Sequence, residues 1–94
     1  MDSQFTKIAI VIPSLNPEPT LIDLLKNIRA LTDHSILLVN DGSRRECLSI
    51  FEEAGKISGV TVLHHFKNMG KGRALKTAFS HCLEQKYPAA VTAD

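Results

Sequence analysis

The sequence predicts an α/β fold in which helices cover a parallel β-sheet. Four short apolar runs are separated by three segments whose apolar residues recur with the period of an amphipathic helix. The runs are continuous rather than alternating, which is typical of parallel strands buried on both faces. With 94 residues, a sheet of this kind has room for about four strands and three helices in a single domain.

A proline-rich loop separates the first strand from the first helix. Residues 8–12 form an unbroken apolar run, and Pro13 is expected to end the strand because proline has no N–H to donate to a central ladder. Asn16 is predicted as the N-cap of the helix, with Pro17 in the first helical position. The helix is expected to end between Leu31 and Asp33. Its inward positions, spaced i, i+3, i+4 and i+7, are Leu21, Leu24, Leu25 and Ile28.

The second strand begins at Ile36 and ends in the turn Asn40-Asp41-Gly42-Ser43, in which an acid, a glycine and a serine lead into the second helix. Ser43 and Glu46 have the spacing of a capping box, in which the serine hydroxyl accepts an N–H of the first turn and the glutamate reaches back. Gly55 is a suitable residue to end this helix. The inward positions of the helix are Cys47, Ile50 or Phe51, and Ala54.

The third and fourth strands flank the last helix. Residues 60–64 are rich in β-branched side chains and follow a Ser-Gly turn, and residues 89–93 form the last apolar run before Asp94. Between them, a helix opens at the glycine-containing corner 68–72 and must end before Pro88. The inward positions of this helix are Leu75, Ala78, Phe79 and Cys82.

Three successive β-α-β units predict right-handed crossovers and a Rossmann-like sheet in the order 3-2-1-4. In that order the connections reverse direction between strands one and four, which opens a crevice at the carboxyl ends of the strands. Pro13 to Asn16, Asp41 and Asp94 are expected to border this crevice. The fourth strand would lie at an edge of the sheet, where strands fray or pair with a neighbouring molecule. A homodimer through this edge is therefore one alternative to a monomer.

Charge and hydropathy exclude several classes of partner. The net charge is only +1, which argues against nucleic acid because phosphate binding normally needs a clustered basic face. No apolar run reaches the roughly 18 residues of a membrane span, and the amino terminus is unlike a signal peptide. These features predict a cytoplasmic protein. Cys47 and Cys82 lie on apolar helix faces without metal-ligand spacing, so we expect two reduced core thiols.

Asp41 is the first candidate for ligand binding. An ionised carboxylate at the end of a buried strand accepts hydrogen bonds from the N–H or hydroxyl groups of a ligand, but it cannot donate one. Its position fits recognition of a nucleotide base or ribose; the alternative is a turn-forming acid before Gly42. Asp41 and Asp94 follow two strands whose ends face one crevice, which favours the ligand.

The second candidate is the corner that contains Asn68, Gly70 and Lys71 and precedes a helix. Unpaired N–H groups, the helix dipole and a lysine favour an anion there, so the corner resembles a phosphate cradle. It lacks the spacing of a P-loop, and the alternative is a structural turn. His64 and His65 point to opposite faces of the third strand, so they do not readily share a metal ion, and we expect them to form a strand end at the surface.

Four motifs, taken together, resemble a known family. They are Val11-Ile12-Pro13-Ser14-Leu15-Asn16, Leu38-Val39-Asn40-Asp41-Gly42-Ser43, Asn68-Met69-Gly70-Lys71-Gly72 and Val91-Thr92-Ala93-Asp94. Their order and spacing are similar to those in the amino-terminal half of family 2 glycosyltransferases of the GT-A fold. The resemblance spans nearly the whole chain.

This resemblance implies a nucleotide-binding domain whose ligand is a nucleotide-diphosphate sugar, usually a UDP-sugar. Pro13 and Asn16 match the loop along the nucleoside, Asp41 matches the acid directed at the base, and Lys71 with its glycines matches the corner near the nucleotide. Asp94 matches the first acid of an Asp-x-Asp motif that binds Mg²⁺ or Mn²⁺ through the donor diphosphate, where the metal neutralises charge on the leaving group. The predicted binding residues are therefore Pro13, Asn16, Asp41, Gly42, Asn68, Gly70 and Lys71, with Asp94 as metal ligand.

Two departures from the family pattern shape the functional prediction. Asn16-Pro17-Glu18 replaces the commoner Asn-Glu-Glu, so the acid at position 17 is missing. The sequence also ends before the second acid of Asp-x-Asp, and no acceptor-binding region or catalytic base follows. We therefore interpret residues 1–94 as one truncated domain, the donor-binding part of an inverting glycosyltransferase that is inactive alone. The alternative is a nucleotide-binding or interaction module without catalysis.

Overall fold

Four parallel strands form the sheet of the computed structural model, which describes residues 8–93. Along the chain these are β1 (Ala9–Ser14), β2 (Ser35–Asp41), β3 (Val60–His65) and β4 (Ala90–Thr92). Their order across the sheet is β3-β2-β1-β4, and the three neighbouring pairs are all parallel. The predicted strand order and direction are confirmed, and the fold is α/β and Rossmann-like.

Three helices make the crossovers between these strands. α1 (Thr20–Leu31) links β1 to β2, and α3 (Lys71–Glu84) links β3 to β4. The connection from β2 to β3 begins with one 3₁₀ turn (Arg45–Cys47) that runs directly into α2 (Leu48–Gly55). Because the strands are parallel, the loops that follow β1, β2 and β3 all lie at one edge of the sheet, which we call the carboxyl edge.

The strands are apolar on both sides because helices cover both faces of the sheet. α1 and α2 pack on one face against alternate residues of the strands, among them Ile36 and Leu38 of β2. α3 packs on the opposite face, against the residues between them, such as Leu37 and Val39. This division follows from the period of two in a strand, and it leaves β2 buried from Ile36 to Asp41.

The buried faces of α1 and α3 differ from the predicted ones at one position each. Leu24 is 47% exposed and Phe79 is 41% exposed, so their prediction as inward residues is wrong. Ile22 is buried in α1 instead, and Ala74 is buried in α3. α3 meets the sheet mainly through small side chains, which let the helix approach the strands closely and leave the larger aromatic ring at the flank.

The two predicted N-cap arrangements are wrong, because their side chains bind another loop instead of their own helix. α1 begins at Thr20 with Pro19 as N-cap, and Asn16 lies in the preceding loop with a positive φ of 49°. The 3₁₀ turn after β2 begins at Arg45 without a side-chain cap. The hydroxyl of Ser43 accepts the N–H of Asn16, so this group does not cap its own helix.

β4 forms one edge of the sheet and has only three residues. The hydrogen-bonding ladder continues one residue past it, since Ala93 donates its N–H to the carbonyl of Val11 at 2.9 Å. Val91 in this strand is 47% exposed. Dimerisation through this edge stays a prediction.

Cys47 and Cys82 are free and buried, one in each of the two apolar layers, as predicted. Within residues 8–93, the helices are too short or too polar to cross a membrane.

Candidate functional site

A cleft of about 360 Å³ opens at the carboxyl edge among the loops that follow β1, β2 and β3. Its lining residues are Pro13, Ser14, Leu15, Asp41, Asn68, Gly70 and Lys71. The structure therefore brings together five of the residues that the sequence predicted as a site. Two others, Asn16 and Gly42, are not part of the lining. Asp94, the predicted metal ligand, lies outside the described residues.

Asp41 is the buried acid of this cleft, with only 4% of its surface exposed. Its Oδ1 accepts a hydrogen bond from Nδ1 of His65 at 2.9 Å and another from the N–H of Met69 at 3.0 Å. Its Oδ2 accepts the N–H of Gly70 at 3.0 Å. A carboxylate has about four acceptor positions, so most of the capacity of Asp41 serves to hold the end of β3 and the loop between β3 and α3 in place.

Burial and hydrogen bonding act on the ionisation of Asp41 in opposite directions. Burial tends to raise the pKa of the carboxyl, because a charge is costly away from water. The hydrogen bonds from His65, Met69 and Gly70 favour the charged form and outweigh burial, so the pKa lies below its ordinary value of 3.8. Asp41 is therefore an ionised group at neutral pH that accepts hydrogen bonds and donates none.

Gly42 allows the loop after β2 to pack directly against the loop after β3. It has a φ of 76°, in the left-handed region that favours glycine. A Cβ atom at this position would overlap the main-chain atoms of Lys67 and Asn68. The sequence predicted Gly42 as a binding residue; its observed contacts give it a structural role beside the cleft, and a direct contact with a ligand stays a prediction.

A second set of hydrogen bonds joins the loops after β1 and β2. Asn16 donates its N–H to Ser43 Oγ at 2.8 Å, and its Oδ1 accepts the N–H of Arg44 at 2.7 Å. The N–H of Ser43 in turn donates to Oδ1 of Asn40 at 2.9 Å. Asn16 therefore supports the shape of the cleft, while its predicted position along a nucleoside remains a prediction.

The two histidines at the end of β3 have different environments. His64 is exposed, as expected for a strand end at the surface. The side chain of His65 is only 9% exposed, so the same expectation is wrong for this residue. The register pairs Asp41 with His65 across the two strands, and this pairing is the signal that sequence analysis overlooked. His65 also lies 2.9 Å from Thr77 of α3, measured between Nε2 and Oγ1.

The amino end of α3 forms the other side of the cleft. The helix begins at Lys71, directly after Gly70, which has a φ of 94° and, being glycine, has no side chain that could cap the helix. The first N–H groups of a helix lack partners within the helix and carry the positive end of its dipole. With Lys71 lining the cleft and Arg73 in the same turn, this end of the helix favours an anion.

The part of the chain that the structure describes does not form a metal centre. Within residues 8–93, no three His, Cys, Asp or Glu side chains are grouped so that they could hold an ion. Asp41, the acid of the cleft, already accepts hydrogen bonds from N–H donors on both oxygens. The predicted metal ligand Asp94 lies outside the described residues, so that role stays a prediction.

The chemistry of the cleft has two complementary parts. The carboxylate of Asp41 accepts hydrogen bonds, and the amino end of α3 with Lys71 attracts negative charge. Clefts at the carboxyl ends of parallel strands are the usual ligand sites of open α/β sheets. A ligand that carries both an N–H donor and phosphate groups fits this combination.

Comparison with known proteins finds one family match and several similar proteins. Residues 9–94 match the family described as Glycosyl transferase family 2. An uncharacterised protein of Methanocaldococcus jannaschii is 33% identical over 88 residues, which cover 94% of this chain. Two proteins named undecaprenyl-phosphate 4-deoxy-4-formamido-L-arabinose transferase, from Enterobacter sp. and Pseudomonas fluorescens, are 35% and 33% identical over 80% of this chain. No solved structure gives a significant match.

The relatives are much longer than this chain, which spans 35% of the archaeal protein and 25% and 24% of the two bacterial ones. The family match nevertheless runs from the first residue of β1 to the last residue of the sequence, and it includes every loop that lines the cleft. This chain belongs to glycosyl transferase family 2.

Proposed function

We propose that this chain is the donor-binding part of an inverting glycosyltransferase that takes a sugar from a nucleotide-diphosphate sugar. The observation that carries the proposal is the cleft at the carboxyl edge, which has the ionised Asp41 in its lining beside Lys71 at the amino end of α3. The base of the donor would bind near Asp41, and its diphosphate would bind near Lys71.

The chemistry of Asp41 favours uracil as the base. Three of its roughly four acceptor positions are filled by His65, Met69 and Gly70. The fourth would accept the N3–H group of uracil in UDP. Cytosine has an unprotonated nitrogen at the same position, so CDP would place two acceptors opposite each other, and the nucleotide would lose affinity.

The diphosphate would lie against the N–H groups and the dipole of α3, with Lys71 adding a positive charge. Asp94 would bind Mg²⁺ or Mn²⁺ together with oxygens of the diphosphate, as family members often use divalent metals. When bound, such a metal neutralises charge on the departing nucleoside diphosphate. Pro13 and Asn16 would hold the loop that borders the nucleoside.

The acceptor and the catalytic base would belong to further parts of a longer protein. The names of the two bacterial relatives suggest undecaprenyl phosphate as the acceptor. We assign no catalytic residue within this chain, and we expect the 94 residues alone to bind the donor without transferring the sugar. Binding without transfer even in a longer protein would instead fit a nucleotide-binding module.

Calorimetric titration with UDP and CDP, each with and without Mg²⁺, tests this proposal. The parent chain should bind UDP at least about tenfold more tightly than CDP, because cytosine has an acceptor nitrogen at the position where uracil offers its N3–H group to Asp41. Asp94→Ala should weaken UDP binding only when Mg²⁺ is present, since its partner would be the metal. A parent chain that binds UDP and CDP equally would contradict the proposed role of Asp41.

Lys71 provides a test of the diphosphate position. Lys71→Met should weaken the binding of both UDP and CDP by about 1 to 2 kcal/mol, because it removes a charge-assisted contact that does not depend on the base. The matched control is Lys76→Met, which changes an exposed lysine of the same helix. If the two variants lose the same affinity, the effect is a general one of net charge, and Lys71 has no specific contact with the diphosphate.

A further inference from the structure

His65 lies beside Asp41 but is not part of the lining of the cleft. We propose that His65 is a positioning residue for Asp41, and that Thr77 fixes the orientation of the His65 ring. The inference rests on the proposed binding of a nucleotide base at Asp41. It assigns a specificity-determining role to two side chains that need not touch the ligand.

The fold brings these three side chains into one line. Asp41 and His65 are the last residues of β2 and β3, and the parallel register pairs them directly. The carboxylate and the ring are 2.9 Å apart, with only 6% and 9% of the two side chains exposed. On the far side of the ring, Nε2 lies 2.9 Å from the hydroxyl oxygen of Thr77 in α3.

The charge of Asp41 fixes the role of each ring nitrogen. An ionised carboxylate only accepts hydrogen bonds, so Nδ1 of His65 must carry a proton and donate it. In the neutral ring, Nε2 then accepts the hydroxyl hydrogen of Thr77; in the charged ring, Nε2 donates to the same oxygen. A threonine hydroxyl serves both roles, so the ring keeps one orientation in either state.

His64, the preceding residue, provides an internal comparison. Its Nδ1 lies 3.0 Å from Nδ2 of Asn40, on the opposite face of the sheet. Oδ1 of Asn40 accepts the N–H of Ser43, so the amide nitrogen of Asn40 faces the ring and donates to it. Neutral His64 therefore carries its proton on Nε2, whereas neutral His65 carries it on Nδ1.

The bond from His65 determines which oxygen of Asp41 remains for a ligand. Oδ1 receives two donors, from His65 and Met69, while Oδ2 receives one, from Gly70. The terminal torsion of an aspartate is soft, because rotation about a bond to a planar carboxylate has broad minima. With the His65 donor removed, Oδ1 would regain an acceptor position and the carboxylate would turn more freely, so its preference for one donor direction would weaken.

The experiment measures the ratio of UDP to CDP affinity by calorimetry in the 94-residue chain. His65→Phe should lower this ratio by about tenfold, as it removes a hydrogen bond to a charged group and keeps a planar ring. His65→Asn should retain most of the ratio, because its amide nitrogen can take the place of Nδ1. Thr77→Val should lower the ratio by about threefold, and Thr77→Ser should leave it unchanged.

The matched control is His64→Phe, which makes the same change one residue earlier on the opposite face and should leave the ratio unchanged. Circular dichroism and urea unfolding give the folded fraction of each variant, and affinities are corrected for it. If His65→Phe does not fold, His65→Asn and Thr77→Val carry the test. The ratio is informative because loss of folded protein lowers the apparent affinity for UDP and CDP equally.

Four outcomes would overturn the inference. A folded His65→Phe variant that keeps both parent affinities would show that His65 does not orient Asp41. An equal loss of UDP and CDP affinity would assign His65 a structural role only. Nitrogen-15 NMR that finds the same tautomer in His64 and His65 would remove the hydrogen-bonding arrangement on which the role depends. A parent chain that binds neither nucleotide would overturn the proposed function, and this inference with it, whatever the tautomers are.

Discussion

The turn after β2 and the start of α3 have similar sequences, but only the turn after β2 is packed closely against another loop. Each contains glycine next to a polar or charged residue, and each borders the cleft. At Gly42 a Cβ atom would overlap the main chain of Lys67 and Asn68. At Gly72, by contrast, a Cβ atom would meet no neighbouring atom of residues 8–93 within 4 Å. One corner is fixed by its contacts, and the other is open.

This difference separates two roles that a glycine can have beside a ligand site. Gly42 permits contact between two loops of the protein itself, so Asp41 can reach the N–H groups of Met69 and Gly70. Gly72, in the first turn of α3, leaves the helix end accessible from outside. The rigid corner therefore shapes the cleft, and the open corner is where a ligand has room to approach.

The largest expected effect is that of Gly42→Ala. The new methyl group would overlap backbone that cannot move aside like a flexible side chain, and alanine is strained at a φ of 76°. We expect the free energy of unfolding to fall by about 3 kcal/mol or more. Urea unfolding followed by circular dichroism measures this loss. A loss below about 1 kcal/mol would show that the two loops can separate at little cost, contrary to the packing described here.

An intermediate effect is expected for Asp41→Asn. The asparagine amide would place an N–H donor against one of the N–H groups that the carboxylate now accepts, which should cost about 2 to 3 kcal/mol of stability at neutral pH. Because the pKa of Asp41 is lowered in the folded chain, its contribution is fully present above the ordinary value of 3.8 and is lost as the pH falls below it. The stability difference between parent and variant should therefore shrink on acidification.

Urea unfolding at neutral pH and at about pH 3 measures this change. The matched control is Asp33→Asn, which changes an exposed acid near the start of β2, at the opposite edge of the sheet. A stability difference between parent and Asp41→Asn that stays constant down to about pH 3 would mean that the carboxylate charge does not hold the corner.

The smallest effect on stability is expected for Gly72→Ala. The methyl group has room, and alanine is a better helix former than glycine by up to about 1 kcal/mol, so the variant should be as stable as the parent or slightly more stable. If a diphosphate approaches the open end of α3, the same methyl group should weaken UDP binding several-fold. Calorimetry and urea unfolding of one sample measure both quantities. Unchanged UDP affinity would place the diphosphate away from this turn.

The pattern of the sequence was sufficient for the fold, because each element depends on local periodicity. Continuous apolar runs identified the strands, and the alternation of strands with amphipathic helices predicted a parallel sheet in the observed order. Inward faces were predicted less accurately, since spacing alone does not distinguish Phe79 from Ala74 as the residue that meets the sheet. The close approach of α3 to the strands decides that Ala74, and not Phe79, meets the sheet.

The polar residues of the corners were harder to interpret, because their partners are distant in the chain. Asn16 and Ser43 both have sequences typical of helix caps, but each binds the loop of the other. The spacing of residues along the chain shows only which side chains could bond to the backbone of one helix terminus. It contains no information about a second loop that offers the same hydrogen bonds.

By itself, the sequence determined the strand order, the edge of the sheet where the cleft lies, and two of the residues that line it, Asp41 and Lys71. Only the tertiary structure decided how Asp41 is used within the protein, with His65 beside it in register and the loop of Met69 and Gly70 wrapped around its oxygens. The physical reason is the range of the interactions. Which face of a helix or strand is buried depends on the short repeat of apolar residues along that element. A hydrogen bond instead needs two groups within about 3 Å of each other, and only the folded chain brings residues that are distant in sequence that close.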